Sequence, residues 1–423
     1  MKHLLVNGER KSIPPFPHHK DFVYRVNRFF NVRSLLSFVS IDGPLYVPKK
    51  FLANRKYECA IPRLLLVDPT SACNLNCKGC WAGDYRKSSS LSYEKLDEIF
   101  TEAGKLGVLQ IIMSGGEPLL RKADILKLCR KHSNLSFAAF TNGTLIDEEF
   151  AKEMAALGNL NVFVSIEGFR EDTDARRGEG TFDKVVKAMD ILKKHNIGFG
   201  FSACYHSGNY QAVASDEFLD FMQEKGAWLG WLFNYLPIGS QADPSLCCTA
   251  EQRSFVYLKI DSYSREKNFT LIDFANNGHK AFGCVAAGND FAHINANGDL
   301  EPCAFCHYSD ANIHDMSLTE ALRSPFFRKF REAKPFSDNL LRPCPLMDVP
   351  NSLEMLIDPS QVRSTHLDSP ESAAELAAKT RPIAEDWEPT ASALFETLPY
   401  TEKRRFGIMN KMVKMSYDFM YKK

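Results

Sequence analysis

An alternation of strand-like and helix-like segments, which begins near residue 60, constrains the fold of this chain more than any other feature. Six short segments rich in β-branched and aromatic residues fit strands: RLLLVD (63–68), VLQIIMS (108–114), LSFAAFT (135–141), NVFVSIE (161–167), GFGFSACY (198–205) and WLGWLFNYL (228–236). Helical segments separate them at an average repeat of about 30 residues. This order predicts parallel βαβ units, and therefore an α/β protein built on a partial or full β/α barrel.

Capping residues mark where several of the intervening helices begin and end. Ser92 and Gly107 fit the start and the end of the first helix, whose apolar residues recur at helical spacing. Asp147 and Thr181 are predicted N-caps for helices over 148–157 and 182–195. Gly158 is predicted to close the helix over 148–157.

Three closely spaced cysteines follow the first strand directly. Cys73, Cys77 and Cys80 lie in DPTSACNLNCKGCW with C-x3-C-x2-C spacing, on a loop at the carboxyl end of a strand. Three thiolates from one loop can each bind one iron of a 4Fe–4S cube and leave the fourth iron open to a small chelating ligand. The alternatives are a zinc knuckle or a group of buried thiols, although structural zinc usually has four closed protein ligands.

A glycine-rich turn ends the second strand. In IIMSGGEPLL, Gly115 and Gly116 let the backbone approach a ligand closely, Glu117 offers a carboxylate and Pro118 restrains the turn. A lone GGEP sequence is a weak motif, because a strand-to-helix turn explains it equally well. At the strand end that follows a three-cysteine loop it becomes a strong indication of a cofactor site.

Together these motifs resemble the radical S-adenosylmethionine (radical SAM) superfamily, over roughly residues 60–350. The resemblance implies a partial (β/α)6 TIM-like barrel of the radical SAM type, with S-adenosylmethionine and a 4Fe–4S cluster as cofactors. It also implies that the reduced cluster cleaves S-adenosylmethionine to a 5′-deoxyadenosyl radical, which removes a hydrogen atom from a substrate. The residue before the third cysteine is often aromatic in this superfamily. Here it is Gly79, with Trp81 after the cysteine, which predicts looser shielding of the cluster.

The same resemblance assigns the cofactor contacts to successive strand ends. The turn from Gly115 to Pro118 would hold the methionyl amino group. The ends of the third and fourth strands would meet the methionyl and ribose parts, and Arg177 would pair with the carboxylate. The implied cofactor-binding residues are Gly115, Gly116, Glu117, Pro118, Thr141, Asn142, Ser165, Glu167 and Arg177.

A second cysteine set lies in a loop-rich segment that includes the hairpin-like stretch FAHINANGDLEPC. Its members are Cys284, Cys303, Cys306 and Cys344. This segment resembles a truncated SPASM or twitch extension, which implies one auxiliary iron–sulfur cluster. His307 is an alternative to Cys306 as the fourth ligand, and a structural zinc held by the same thiolates is an alternative to the cluster.

The chain divides into four predicted parts. These are a basic N-terminal extension (1–58), the barrel (59–245), the SPASM/twitch-like domain (246–350), and an acidic linker of loops and short helices followed by a basic amphipathic C-terminal helix (351–423). Residues 1–56 hold 11 Lys and Arg against 3 Asp and Glu, and residues 402–423 hold 7 against 2. An acidic body with two basic ends is not typical of a nucleic-acid binder, but it fits a peripheral membrane contact.

Twelve cysteines without a signal-peptide pattern indicate a reducing compartment, so we expect a cytoplasmic protein, and the two basic ends favour an association with the inner face of the membrane. The expected partners are an electron donor such as flavodoxin or ferredoxin and an unidentified substrate, either a lipid or another small molecule. Barrel-facing candidates for the substrate pocket are Ser202, Tyr205, Trp231 and Tyr235. A peptide or protein maturase of the SPASM type is the second enzymatic hypothesis, and a zinc-stabilised scaffold is the non-enzymatic one.

Overall fold

The structure is a computed structural model. It describes residues 3–6, 9–12, 46–85, 88–240, 242–281 and 283–400, together with six positions between 403 and 415. The strands are His3–Val6 (β1), Glu9–Ser12 (β2), Leu64–Val67 (β3), Gln110–Met113 (β4), Ser136–Thr141 (β5), Leu160–Ser165 (β6), Phe199–Tyr205 (β7), Ala227–Asn234 (β8), Thr270–Asp273 (β9), Phe291–Ile294 (β10), Leu300–Glu301 (β11), Tyr308–Ser309 (β12) and Arg363–Ser364 (β13). All six predicted strands are present within one or two residues of their predicted bounds.

Helices connect most of the strands. They are Tyr46–Tyr57 (α1), Tyr93–Leu106 (α2), Lys122–Lys131 (α3), Glu148–Leu157 (α4), Arg170–Arg177 (α5), Thr181–Lys194 (α6), Tyr210–Val213 (α7), Asp216–Lys225 (α8), Ala250–Lys267 (α9), Gly278–Ala281 (α10), Leu318–Leu322 (α11), Pro325–Glu332 (α12), Pro350–Leu356 (α13) and Ala373–Thr397 (α14). Two short 3-10 turns, Pro118–Arg121 and Pro244–Leu246, complete the described elements.

The main sheet has nine strands. Strands β3 to β9 pair in chain order, and every pair is parallel. The hairpin of β10 and β11 extends the sheet beyond β3, with β10 parallel to β3 and β11 antiparallel to β10. Because β3 to β9 are parallel, their carboxyl ends meet at one edge of the sheet. This confirms the α/β class and the partial barrel.

The caps explain most helix boundaries. Ser92 Oγ accepts the Lys95 N–H at the start of α2, and Gly107 ends this helix with φ of 88°. The Asp147 carboxylate caps α4, and Gly158 closes it in the left-handed conformation, as predicted.

The prediction that Thr181 caps α6 is wrong, because the helix begins at Thr181 itself and Gly180 precedes it with φ of 74°. The cap comes instead from the previous helix. The Asp174 carboxylate accepts the backbone N–H groups of Gly180 and Phe182, at 3.0 and 2.8 Å. A carboxylate that is already oriented by α5 therefore replaces the local cap.

The barrel continues beyond the predicted boundary at residue 245. Helix α9 begins with a capping box between Thr249 and Gln252, and β9 then pairs with β8 as a seventh parallel strand. Residues after 358 also differ from the predicted short helices. A single 25-residue helix, α14, packs Trp387 against the body, where its indole N–H donates to the Leu341 carbonyl at 2.9 Å.

The two basic ends lie largely outside the described residues. In the N-terminal extension, β1 pairs with β2 antiparallel and α1 leads into the barrel. The apolar stripe predicted for the C-terminal helix (Phe406, Met409, Met412, Val413, Phe419 and Met420) lies outside the described residues. Among the helices that are described, none is both long enough and apolar enough to cross a bilayer.

Candidate active site

A cavity opens at the carboxyl ends of the parallel strands, where a barrel of this type places its chemistry. The three-cysteine loop after β3, the GGEP turn after β4 and the end of β5 are neighbours there, because their strands are adjacent in the sheet. The predicted residues that line the cavity are Cys73, Cys77, Cys80, Gly115, Gly116, Glu117, Thr141, Asn142, Ser165 and Arg177. Motifs that are up to 104 residues apart in sequence therefore share one space.

Polar contacts hold the three-cysteine loop to its surroundings. Asn74 accepts a hydrogen bond from the Asn142 amide and donates one to the Thr144 hydroxyl, both at 2.8 Å. The Lys78 N–H donates to the Arg176 carbonyl at 2.9 Å. The loop is thus tied to the end of β5 on one side and to α5 on the other, which fixes the thiols relative to the cavity.

An aromatic ring covers the loop at Gly79, despite the glycine. A Cβ atom on Gly79 would lie 2.5 Å from the Tyr235 ring, so this ring occupies the space that a side chain at position 79 would need. Tyr235 is 3% exposed and comes from the end of β8. A distant residue therefore supplies an aromatic ring over Gly79, while Cys80 beside it is exposed, and the predicted looser shielding of the cluster stays a prediction.

The GGEP turn is pressed against the three-cysteine loop. A Cβ atom on Gly116 would lie 2.1 Å from the Ala72 carbonyl oxygen, and one on Gly115 would lie 2.5 Å from the Thr70 carbonyl oxygen. Only glycine fits at either position, since real Cβ atoms do not approach other atoms so closely. The close approach of backbone to backbone seats the turn beside the cysteines.

Glu117 organises this turn rather than standing free in the cavity. It is 1% exposed, and its carboxylate accepts the Leu119 N–H, the Thr141 hydroxyl and the Asn142 N–H at 2.8–2.9 Å. Burial raises the pKa of Glu117, although the two backbone N–H groups oppose the shift. Pro118 lies behind the wall and begins the 3-10 turn.

Glu167 is fully buried between two arginines of α5. Its Oε1 atom accepts from Arg176 Nη1 at 2.6 Å and from Arg177 Nε at 2.9 Å, while Oε2 accepts the Cys204 N–H at 2.8 Å. Burial alone would raise the pKa of Glu167, but the charges of Arg176 and Arg177 outweigh it and hold the pKa below its usual value. In this arrangement Glu167 positions the arginines at the cavity wall and has no free edge toward a ribose.

Replacing Glu167 with glutamine is expected to lower the free energy of unfolding by about 3 kcal/mol at pH 7, because it leaves two partly buried guanidinium groups without their carboxylate. The folded-state pKa is depressed, so the stabilisation is fully present above the unfolded pKa of about 4.3, begins to fall near that pH and is lost as the pH falls through the lower folded pKa. Urea unfolding of both proteins at pH 7 and pH 4 checks this.

The exposed carboxylate of Glu148, which pairs with Lys194 and His195, provides the control. Glu148→Gln should change the unfolding free energy very little at either pH, because solvent screens the pair. An equal effect of the two substitutions, or a difference for Glu167→Gln that grows toward low pH, would contradict the assignment.

Three of the four predicted pocket residues also reach the cavity: Ser202, Trp231 and Tyr235. Tyr205 does not, because it is fully buried and its hydroxyl bonds to Asp273 and Asn276 beneath the cavity floor. The cavity wall also includes residues that the sequence did not single out: Phe140, Arg176, Cys204, Phe233, Phe274 and Phe305. The alternation of Trp231, Phe233 and Tyr235 along β8 is a signal that could have indicated Phe233.

The second cysteine set is assembled beside the β10–β11 hairpin. Cys303 and Cys306 are buried, and Cys284 and Cys344 are partly buried. Burial, followed by the charges of Cys303, Glu301, Cys344 and Cys284, raises the pKa of the Cys306 thiol well above its usual value. Such thiols become stable thiolates only when a metal compensates their charge.

His307 points away from this set. One ring nitrogen faces His366 and the other lies 2.8 Å from the Ala304 carbonyl. Both nitrogens are therefore engaged, which favours Cys306 over His307 as the fourth ligand.

A buried histidine joins the two cysteine regions. His293 on β10 lies 2.9 Å from Asp68, at the end of β3, and 2.6 Å from Glu301, on β11. Burial would lower the pKa of His293, but the two carboxylates raise it to about 10, so the imidazole is protonated at neutral pH. Tyr85 also donates to Glu301, at 2.9 Å. This cluster fixes the hairpin to the strand that precedes the three-cysteine loop.

The donor set of the three-cysteine loop suits an iron–sulfur cluster, because three thiols line the cavity. Within the described part of the chain, no three side chains of His, Cys, Asp or Glu converge on a point that could hold a single metal ion. A structural zinc usually has four protein ligands, whereas a cubane can take three thiolates and leave its fourth iron open. The three-cysteine loop supplies three such donors beside a turn that only glycine permits.

Comparisons with known proteins agree with this site. A family model described as the radical SAM superfamily matches residues 67–213, and the SPASM model, described as an iron-sulfur cluster-binding domain, matches residues 284–345. The AdoMet-dependent heme synthase of Methanosarcina barkeri is 24% identical over 301 residues, which cover 64% of this chain and 85% of that protein. The mycofactocin maturase MftC of Mycolicibacterium smegmatis is 30% identical over 301 residues, covering 64% and 73%.

A solved structure shares the fold. The Streptococcus suis protein SuiB, bound to S-adenosylmethionine, superposes with a TM-score of 0.58 at 18% identity, over 71% of this chain and 76% of SuiB. At this level of identity the likeness concerns the arrangement of strands and helices.

Proposed function

Because this chain belongs to the radical SAM superfamily and carries a SPASM iron–sulfur domain, we propose that it abstracts a hydrogen atom from a substrate bound beside Cys73, Cys77 and Cys80. Its cofactors are a 4Fe–4S cluster, S-adenosylmethionine and auxiliary iron–sulfur. When bound, the cluster and S-adenosylmethionine would together supply one-electron reductive cleavage of the sulfonium, with methionine as the leaving group and hydrogen-atom abstraction as the chemistry made available. The non-enzymatic zinc scaffold loses its support, since this family consists of enzymes.

One observation carries the proposal: the three thiols, the GGEP turn and the Thr141–Asn142 strand end line the same cavity. Cys73, Cys77 and Cys80 would hold the cluster and leave one iron to the amino and carboxylate groups of the methionyl part. The backbone of Gly115 and Gly116 would bind the amino group, because these residues have no side chain and the turn packs directly against the three-cysteine loop.

The remaining polar wall would bind the other parts of the nucleoside. Thr141, Asn142 and Ser165 offer hydroxyl and amide groups at the ends of β5 and β6. Arg177 would donate hydrogen bonds to the methionyl carboxylate from the N–H groups that do not bond to Glu167. The protein's main contribution is position and a dry cavity, because a primary radical attacks the nearest C–H bond.

Anaerobic reconstitution followed by reduction tests the proposal. Dithionite-reduced protein with S-adenosylmethionine should form 5′-deoxyadenosine without added substrate, measured by liquid chromatography and mass spectrometry. In place of dithionite, a flavodoxin or ferredoxin should serve as the one-electron donor. A protein that holds its iron and never cleaves the sulfonium would overturn the proposal.

Peptide maturation is the second candidate function. It is favoured by the 30% identity to mycofactocin maturase over 301 residues, which is the higher identity of the two relatives described above. This function would be established by a precursor peptide that is encoded beside the gene for this protein and that the protein modifies in vitro. A lipid substrate and a contact with the inner face of the cytoplasmic membrane remain predictions from the composition of the two basic ends.

The ligands of the auxiliary cluster can be separated by substitution. Cys306→Ala is expected to remove about four irons per chain, because it opens the second thiol set. His307→Asn should leave the iron content unchanged, since His307 faces His366 and the Ala304 carbonyl. Iron analysis of the reconstituted variants measures the difference, and iron loss in His307→Asn alone would reverse the assignment.

A further inference from the structure

The cavity has two chemically different halves. Its polar half holds the three-cysteine loop, the GGEP turn and the two arginines, where the cofactors are proposed to bind. The other half is walled mainly by aromatic rings that come from five different parts of the fold: Trp81, Phe140, Trp231, Phe233, Phe274 and Phe305. We refer to these six residues as the aromatic cage.

The rings of the cage contact one another. Trp231 and Phe233 stack with centroids 5.8 Å apart and planes inclined by 13°. Phe274 lies 5.5 Å from Phe233, and Phe305 lies 5.9 Å from each of Phe233 and Phe274. Phe140 and Trp81 complete the wall, next to Trp231 and Phe305 respectively.

Incomplete burial separates the cage from the barrel core. Each of the six rings is only partly buried, although all lie inside the barrel mouth. Core rings of the same sheet, such as Phe137, Phe199 and Phe201, are 0% exposed. Rings that served only to fill the barrel would be buried like these neighbours, so the exposed ring surface of the cage faces space that a ligand can fill.

The charged side chains of the wall lie in its cofactor half, outside the cage. Among the described residues that line the cavity, the Asp, Glu, Lys and Arg side chains are Glu117, Arg176 and Arg177. Glu117 is held by three donors, and the arginines share Glu167. A carboxylate that entered the cage would therefore lose its hydration without gaining a cation.

We propose that the aromatic cage binds the reacting part of the substrate, and that this part is an uncharged planar group. The proposal rests on the proposed function, since it places that group beside the cofactor half of the same cavity. Stacked and edge-on rings favour planar ligands, because such contacts stabilise beyond the burial of apolar area. Phe305 lies between Cys303 and Cys306, so the SPASM domain itself contributes to substrate selection.

Three neutral or charged probes of similar size test the proposal: 2-naphthol, 2-naphthoate and 2-decalol. Their dissociation constants for the reconstituted, S-adenosylmethionine-loaded protein can be measured by anaerobic calorimetry. The planar neutral probe, 2-naphthol, should bind at least about tenfold more tightly than either the charged or the non-planar one. Equal binding of 2-naphthoate or 2-decalol, or no binding of 2-naphthol, would overturn the proposal.

Substitutions within the cage locate the probe. Trp231→Leu and Phe305→Leu should each weaken 2-naphthol binding about fivefold. Phe182→Leu is the matched control, because Phe182 is a partly buried ring that stacks on Phe221 outside the cavity, and its loss should leave the dissociation constant unchanged. Unchanged binding in both cage variants would place the probe elsewhere and reject the cage.

The proposed function is assayed separately in the same preparations. Formation of 5′-deoxyadenosine in the absence of probe depends on the cofactor half and does not require the cage. Absent cleavage with selective 2-naphthol binding would therefore reject the function alone, while normal cleavage without probe selectivity would reject the cage alone. Thermal melting of each variant confirms that it is folded.

Discussion

Alanine in place of Cys73, Cys77 or Cys80 is expected to remove about four irons per chain and to lower 5′-deoxyadenosine formation by about 10³-fold or more. Each thiol would bind a different iron of one cubane, so the loss of any one leaves two iron atoms without a protein ligand. The loop itself should persist, because its contacts to Asn142 and Arg176 do not involve the thiols. Iron analysis, electron paramagnetic resonance of the reduced protein and product quantification measure the three consequences.

A cysteine in helix α3 provides a matched control. Cys129 is 1% exposed in α3, away from both cysteine sets, and burial holds the pKa of its thiol far above its usual range. Cys129→Ala should keep the full iron content and the full cleavage rate, with a small loss of stability from the smaller side chain. Iron loss in Cys129→Ala, or a normal cubane signal in Cys73→Ala, would contradict the assignment of the ligands.

Much of this site could be predicted because its motifs are local. Three cysteines within eight residues must share a loop, and a glycine pair at a strand end needs no tertiary knowledge to be recognised. Parallel pairing of neighbouring strands then brings these ends together. The caps Ser92, Asp147 and Gly158 were predictable for the same reason, since each acts within four residues of itself.

The features that sequence reasoning missed depend on contacts between distant residues. The family resemblance predicted that Glu167, at a strand end, contacts the nucleoside, but Arg176 and Arg177 of α5 pair with its carboxylate. The absence of a side chain at Gly79 predicted no aromatic cover at this position of the loop, whereas the ring of Tyr235, 156 positions later in the sequence, lies over it. Phe305 had no pattern of its own, because it enters the cage only when the SPASM hairpin docks beside β3.

A methyl group added at Gly116 is expected to damage cofactor binding without removing the cluster. The new Cβ atom would lie 2.1 Å from the Ala72 carbonyl oxygen and 2.4 Å from that of Ser71, so either the GGEP turn or the three-cysteine loop must move. A displacement of about 1 Å in a positioned site costs about 10²-fold in rate. We therefore expect Gly116→Ala to retain its iron, to cleave S-adenosylmethionine about 10²-fold more slowly, and to lose about 1–3 kcal/mol of unfolding free energy.

Gly104 separates this local clash from a general effect of adding a methyl group. It lies within α2, and a Cβ atom there would meet its nearest neighbour, Asn134 Nδ2, at an ordinary 3.6 Å. Gly104→Ala should therefore raise the unfolding free energy by about 0.5–1 kcal/mol and leave cleavage unchanged, since alanine favours the helix. Wild-type cleavage by Gly116→Ala would mean that the turn does not touch the cofactor, and the methionyl site would then have to be sought on another strand end.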